Sequence, residues 1–274
     1  MRTLTILLML TVLSALSNAQ NIFSALQLNQ TRDYKTVSPK KIVETNTYYS
    51  SSGMQTDKNI KTYDQTGMLL LEERYDETGT LKAKLTYTND SINRLKLTRT
   101  FERWTNLGYT KETAFYSYDS TRSLIRSTDK DASGRTMRLA EIVCNDRGLP
   151  IELSLFDGHG NSFGKETATY LYDRNRVVTA VVSTDGKIIS TDTIKISFTT
   201  GSLFPNEKEI YNSHGDLVNW TRKNLNKTET IFEEEYTYDT LGNCTENKIY
   251  KVIVKGNGKR KRKIDRIFRK QYTY

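Results

Sequence analysis

From Lys41 onward, apolar and polar residues alternate with a period of two, and clusters of turn-forming residues break the alternation at short intervals. Ile42-Val43-Glu44-Thr45-Asn46-Thr47-Tyr48-Tyr49 opens the series, rich in β-branched and aromatic residues, and stops at Ser50-Ser51-Ser52-Gly53. The pattern predicts further strands at residues 69–75, 81–87, 95–103, 113–118, 137–144, 151–156, 167–172, 177–182, 188–198, 207–211, 217–223, 230–238 and 248–254. Short strands spaced this evenly, without crossover helices, predict an all-β chain. The expected architecture is an antiparallel array of short β-hairpin repeats forming a twisted or curved extended sheet over residues 41–274. Residues 20–40 precede it, with Ile22, Phe23, Leu26 and Leu28 loosely clustered. They read equally well as a short helix or as an ordered leader covering the sheet edge.

One turn unit recurs between the strands. Tyr63-Asp64-Gln65-Thr66-Gly67-Met68-Leu69 is followed twelve residues on by Tyr75-Asp76-Glu77-Thr78-Gly79-Thr80-Leu81. Looser copies begin at Cys144, Phe156 (with Gly160), Tyr211 (with Gly215) and Tyr238 (with Asp239 and Gly242). The Asp or Asn can accept a hydrogen bond from the backbone two residues on, and the Gly admits positive φ at little cost. Asp64, Gly67, Asp76, Gly79, Gly160, Gly215, Asp239 and Gly242 are therefore assigned structural turn roles. The copies at Tyr118 and Tyr172 lack the Gly, and Asn175 is the expected left-handed residue of the second. Longer hairpins are expected between Leu97 and Glu112.

The unit resembles the YD repeat of the Rhs family, most fully at residues 63–81 and 236–243, and is similar to small exported proteins of Bacteroidetes. A weaker likeness is to MORN-type repeats, which also pair aromatics with Gly. The Rhs resemblance implies β-sheets wound into shells or ribbons, linked in some members to carbohydrate binding or to enclosing a toxin. This chain is short beside those toxins, so a shell closed around cargo is not expected.

Composition refines the picture in three places. Residues 1–19 form a separate unit: Arg2, an apolar run from Leu4 to Leu16, then Ser17-Asn18-Ala19, as in a secretory signal peptide. No second long apolar segment follows, so no transmembrane segment is expected in the mature chain, and its place is periplasmic, outer-membrane-associated or secreted. The chain carries 41 basic and 32 acidic residues, for a net charge of +9. Ten of the basic residues and one acidic residue lie from Lys251 on, so positions 1–250 are neutral. Export leaves a disulfide between Cys144 and Cys244 open, against two small buried hydrophobes as the other reading.

Candidate chemistry is thin. His159 and His214 each precede a turn Gly, which reads as a rim position rather than a metal or acid–base site. No nucleophile elbow, phosphate loop or paired-cysteine motif occurs. No catalytic residue, metal or cofactor is assigned, and the reading is non-enzymatic. The basic C-terminal hairpin 248–274 supplies the one charged candidate site: Lys259, Arg260, Lys261, Arg262, Lys263, Arg266, Arg269 and Lys270. Export argues against nucleic acid as its partner and leaves an anionic envelope polymer, or merely an edge strand blunted by lysines. The leading function is binding of a glycan or other envelope component, by an exposed tyrosine face or by this basic end. The alternative is a structural scaffold module of an envelope assembly, with the 17 tyrosines packed inward.

Overall fold

The computed structural model describes residues 22–23, 33–197, 208–223, 228–254 and 259–274. The segment assigned as signal peptide lies outside them, as do residues 20–21 and 24–32 of the leader. Those of the leader that are described, 22–23 and 33–40, form turns and bends rather than a helix.

Seventeen antiparallel strands form one open sheet, and apart from a single 3-10 turn at Tyr172–Arg174 no helix occurs among the described residues. The strands are β1 (Lys41–Ser50), β2 (Gly53–Tyr63), β3 (Leu69–Tyr75), β4 (Leu81–Asp90), β5 (Leu95–Thr105), β6 (Gly108–Tyr118), β7 (Leu124–Asp131), β8 (Thr136–Cys144) and β9 (Pro150–Asp157). They continue as β10 (Ser162–Leu171), β11 (Arg176–Val182), β12 (Ile188–Lys195), β13 (Ile210–Tyr211), β14 (Leu217–Lys223), β15 (Glu229–Tyr238), β16 (Cys244–Val254) and β17 (Arg260–Thr273). Successive strands pair from β1 to β12 and again from β13 to β17. The two runs join where β1 pairs β17, from Lys41 opposite Thr273 to Tyr48 opposite Arg266. First and last strands therefore meet inside the sheet, and the Lys40 N–H donates to the Thr273 carbonyl at 2.7 Å.

Two strands escaped the sequence pattern. β2 carries few apolar residues, and β7 reads Leu-Ile-Arg-Ser-Thr-Asp-Lys-Asp, with Ser127 and Asp129 as buried positions. A polar residue turned inward removes the alternation on which strand recognition rests. The expected lengthening of hairpins shows in β5 and β6, each 11 residues long.

The turns recur as expected, with one geometry. At Asp64 the Gly67 N–H reaches the Asp64 carbonyl at 3.0 Å, and the Asp64 N–H reaches the Met68 carbonyl at 2.9 Å. Asp64 Oδ1 also accepts the N–H groups of Thr66 and Met68, at 2.8 and 2.9 Å. The same four bonds are made by Asp76, Asp119, Asp131, Asn145, Asp157, Asn212 and Asp239. Two hairpins the sequence reading passed over, at Asp131–Gly134 and Ser183–Gly186, share the backbone pattern. Asn175 takes positive φ as expected, and Arg122 does so where its copy lacks Gly.

Apolar side chains gather in two clusters. Ala114, Tyr116, Leu124, Ala140, Ile142, Leu153, Ala168 and Val177 line one region of β6–β11, and Ile22 and Phe23 of the leader pack onto it. Tyr34 of the leader, Ile42 and Tyr63 form the second, with Leu69 and Tyr272 against it. The leader thus supplies the cover for both.

The glycines of the two best turn copies differ in surroundings. At Gly79 a Cβ meets open space, so Gly79→Ala carries only the left-handed backbone cost, about 1 kcal/mol. At Gly67 a Cβ runs into the Tyr34 hydroxyl, which donates to the Gly67 carbonyl at 2.8 Å. Urea unfolding should show the larger loss for Gly67→Ala. Equal losses in the two variants would mean that Tyr34 does not pack on this turn.

Candidate functional site

The tyrosines are placed by the turns. A strand ending in Tyr-x-Tyr puts both rings on one face, and the pairs Tyr170–Tyr172, Tyr236–Tyr238 and Tyr272–Tyr274 stack at 5.9, 6.1 and 6.4 Å. The inner hydroxyl of each pair bonds a backbone carbonyl two strands' length back in the chain. Tyr170 donates to Pro150 (3.0 Å), Tyr236 to Leu217 (2.8 Å), Tyr272 to Cys244 (3.0 Å), and Tyr118 likewise to Lys96 (2.7 Å). The outer hydroxyl meets the Asp or Asn of a neighbouring turn. Asn145 donates to Tyr172 (3.1 Å) and Asn212 to Tyr238 (2.7 Å), while Tyr274 donates to Asp239 (3.1 Å). Burial, followed by the Asp216 carboxylate that accepts the phenol's hydrogen bond, raises the Tyr238 phenol to about 12. Most rings are half-buried, so the tyrosines form neither a bare binding row nor a hidden core. Their hydroxyls are largely committed to tying one turn to the next.

The basic C-terminal residues occupy a different setting from the one expected. β17 pairs with β16 over Arg260–Arg269 and with β1 over Arg266–Thr273, so it is interior only over Arg266–Arg269, while the run Arg260–Lys263 pairs on one side alone, as an edge strand does. Pairing with β16 brings acids of β15 and β16 within its reach. Arg260 meets Glu233 (2.8 Å), and Arg262 meets Glu233 and Glu235 (3.3 and 2.7 Å) with its guanidinium 3.8 Å from the Tyr250 ring. Arg266 meets Asp265 (2.9 Å), Arg269 meets Glu246 (2.8 Å), and Lys270 meets Glu44 (3.4 Å). Lys259, Lys261 and Lys263 are exposed. At least five of the eight cations are thereby matched by local carboxylates, and the excess charge of the run is smaller than the sequence count suggests.

A site that sequence reasoning missed lies where the leader crosses β2–β5. Asp33 and Tyr34 meet Lys61 and Tyr63 of β2, the turn at Gly67–Met68, Leu69 and Glu72 of β3, Tyr87 of β4, and Arg94 and Lys96 at the start of β5. They line a cleft of about 460 Å3, within the range of ligand pockets. Asp33 is its hub: one oxygen takes Lys61 Nζ at 2.9 Å, the other takes the Tyr63 hydroxyl at 2.9 Å, and Lys270 stands 3.8 Å away. Burial opposes the Asp33 charge, but the Lys61 and Lys270 ammonium groups outweigh it and hold its pKa below the usual value. Burial also opposes the Lys61 charge, and Asp33 outweighs it, so that pKa rises. Glu72, buried, is paired with Arg74 at 2.6 Å. Burial, with the nearby Glu72 charge, raises the Tyr87 phenol to about 12. Burial and then the neighbouring Arg99 push the Lys96 ammonium down, while its Nζ lies 5.7 Å from the Tyr87 ring centre. The lining residues come from positions 33 to 96: Tyr63, Gly67, Met68 and Leu69 belong to the first turn unit, which marks a turn rather than a cleft, and no local motif joins them to the others.

The remaining candidates carry no chemistry here. Cys144 and Cys244 are free thiols, so the open disulfide question resolves to two half-buried hydrophobes, and burial pushes both thiols up. The His159 N–H caps Asp157, and the His214 ring stacks on Tyr238 at 4.1 Å, both exposed on turns. Among the described residues no three His, Cys, Asp or Glu side chains converge as metal ligands do, and no helix is long and apolar enough to cross a membrane.

No protein-family model matches this chain, and no curated protein matches it. Solved structures do. A porin-like protein from Bacteroides uniformis is similar over 87% of this chain and 99% of its own, at 14% identity and a TM-score of 0.47. The Tc holotoxin pore of Photorhabdus luminescens aligns over 77% of this chain and 15% of its own, at 10% identity and a TM-score of 0.21. A TcdB2–TccC3 toxin structure aligns over 84% and 16%, at 12% identity and 0.21.

The turn carboxylates set an acid limit on stability. The Thr121 hydroxyl holds Asp119 below the ordinary value of 3.8, the Ser133 hydroxyl does so for Asp131, and Asn161 for Asp157. A carboxyl depressed on folding stabilises fully above its unfolded pKa, and the contribution is lost as pH falls through the folded value. Melting temperature should therefore hold down to about pH 4 and fall below it. Replacing Asp119, Asp131 and Asp157 together by Asn keeps the accepting oxygen, as Asn145 and Asn212 already do, and should flatten that fall. Parallel profiles for wild type and variant would place the acid sensitivity elsewhere.

Proposed function

We propose that this chain is an exported, non-enzymatic repeat protein that binds a glycan of the cell envelope in the cleft between its leader and β2–β5. The cleft itself carries the reading. It joins the rings of Tyr34, Tyr63 and Tyr87 to a set of fixed donors and acceptors at Asp33, Lys61, Glu72 and Lys96. Flat aromatic surface suits the apolar face of a sugar ring, and charged groups on a rigid strand scaffold suit its hydroxyls. Export rests on the apolar run from Leu4 to Leu16 and the small residues before Gln20. The YD-like turns fit the resemblance to exported repeat proteins.

A second reading, a structural module of an envelope assembly, is favoured by the tyrosine hydroxyls bonded from turn to turn. The two readings part at Tyr87. The chain from residue 20 onward, screened against immobilised envelope glycans, should retain a defined subset. Tyr87→Ala should weaken that retention at least tenfold, about 1.4 kcal/mol, whereas Tyr109→Ala, on the far hairpin of β5 and β6, should not. Absence of any retained glycan would leave the structural module as the account.

A further inference from the structure

We infer that the end of the sheet carrying the β5–β6 turn is a membrane-docking rim, which seats exposed apolar hairpin tips in an anionic lipid surface. The inference goes beyond the glycan reading and does not depend on it.

In an antiparallel array alternate turns fall at the same end. The turns β1–β2, β5–β6, β9–β10 and β11–β12 share this end with the last residues of β16 and the first of β17. Each presents large apolar side chains to solvent: Met54, Leu107, Phe163, Ile188 with Ile189, and Val254. Among the described residues the opposite end exposes fewer to a like degree, namely Ile92, Val143 and Ile210.

Leu107 is the extreme case, with a relative exposure of 102%. Its hairpin stands clear of its neighbours: β4 pairs β5 no further than Arg103, and β7 pairs β6 no further than Glu112. The turn is fixed from within. Thr105 Oγ1 accepts the Leu107 N–H at 3.2 Å and donates to the Gly108 carbonyl at 3.2 Å. Behind Leu107, Trp104 and Tyr109 pair across the strands with ring centres 5.5 Å apart, and the Tyr109 hydroxyl donates to Glu102 at 2.6 Å. An aliphatic tip with Trp and Tyr just behind it matches the layering of a lipid interface. Aliphatic side chains suit the acyl region, and amphipathic rings suit the headgroup level.

The spacing favours lipid over protein. Successive turns at one end of the sheet stand about 10 Å apart, two strand spacings. A protein partner would need a separate pocket for each tip, whereas a fluid lipid surface takes each where it falls. Exposed cations stand among the tips: Arg103 and Lys111 on the stem of the Leu107 hairpin, Lys187 before Ile188, and Lys261 beyond Val254. Cations so placed are drawn to anionic headgroups within a Debye length. The cleft opens beside Gly67, Met68 and Arg94, at the other end of the strands. Strand β2 alone runs 11 residues, about 35 Å, so docking by the rim leaves the cleft facing away from the bilayer.

Cosedimentation of the chain from residue 20 onward tests this, using vesicles of phosphatidylcholine alone and of an equal mixture with phosphatidylglycerol. The mixed vesicles should bind the protein at least ten times tighter than the neutral ones. Leu107→Ser should weaken that binding at least tenfold, as for an aliphatic no longer taken out of water. Lys111→Gln with Lys261→Gln should reduce it and flatten its salt dependence, while Ile92→Ser should leave it unchanged. Trp104 is one of two tryptophans. Emission should move to the blue on the mixed vesicles in wild type and in Trp220→Phe, and Trp104→Phe should lose the shift. Thermal melting of each variant checks that folding is kept, and Phe163→Ser is the second probe if Leu107→Ser melts early.

No sedimentation with the mixed vesicles would overturn the inference and leave the glycan reading of the cleft standing. Equal binding to neutral and mixed vesicles would overturn the anionic surface. Equal losses from Leu107→Ser and Ile92→Ser would overturn the rim by placing the contact elsewhere. Self-association without vesicle binding, removed by Leu107→Ser, would overturn the lipid partner in favour of a second copy of the chain.

Discussion

Eight of the described hairpins depend on one interaction, the Asp or Asn side-chain oxygen that accepts two backbone N–H groups just beyond itself. In an open turn those donors face water; here they are closed onto a fixed acceptor, and the residue two places before the next strand takes positive φ. The consequence reaches into the strands. A register shift stands beside the turn in the ladders of β2–β3, β3–β4, β6–β7, β8–β9 and β15–β16. A bulge pins the pairing, and in a strand with period two a slip of one residue would turn every side chain to the wrong face. Repeating the same turn therefore repeats the same register at eight of the hairpins of the sheet.

A single sheet layer has little dry interior to offer, and the side chains on it reflect that. The apolar clusters are small and each is finished by leader residues, Ile22 and Phe23 in one and Tyr34 in the other. Elsewhere half-buried tyrosines do the work, since a phenol buries a large ring while its hydroxyl stays bonded. The Tyr-x-Tyr strand ends exploit both ends of the side chain: one hydroxyl takes a strand carbonyl and the next takes the turn acid. Because those bonds span neighbouring hairpins, the tyrosines link along the array what the turns fix within each hairpin.

The legible part of this molecule is the part written locally. Tyr-Asp-x-x-Gly announces a turn because every bond it makes lies within four residues, and the φ of Gly67, Gly79, Gly160, Gly215 and Gly242 follows from that. β2 and β7 stayed hidden because their inward positions are polar: Lys61 and Ser127 break the alternation, and what makes them acceptable lies far along the chain, as Asp33 does for Lys61. The basic run misled for the same reason. Its cations read as excess until β15 and β16 place Glu233, Glu235 and Glu246 beside them. Exposed pairs of this sort stabilise little, yet they decide what field the surface presents to a partner.

The cleft exists only where the leader lies on the sheet. Asp33 and Tyr34 belong to no strand, but Tyr34 packs edge-on against Tyr63 at 5.7 Å and bonds the turn at Gly67, while Asp33 holds Lys61 and Tyr63. The contacts that seat the leader are the contacts that build the walls. A charge removed at Asp33 would leave Lys61 partly buried without its closest partner, and such a half-pair costs more than the pair contributes. Binding at the cleft and seating of the leader are thus coupled through the same few side chains. A ligand that engages Lys61 competes with Asp33 and so with the seating of the leader itself.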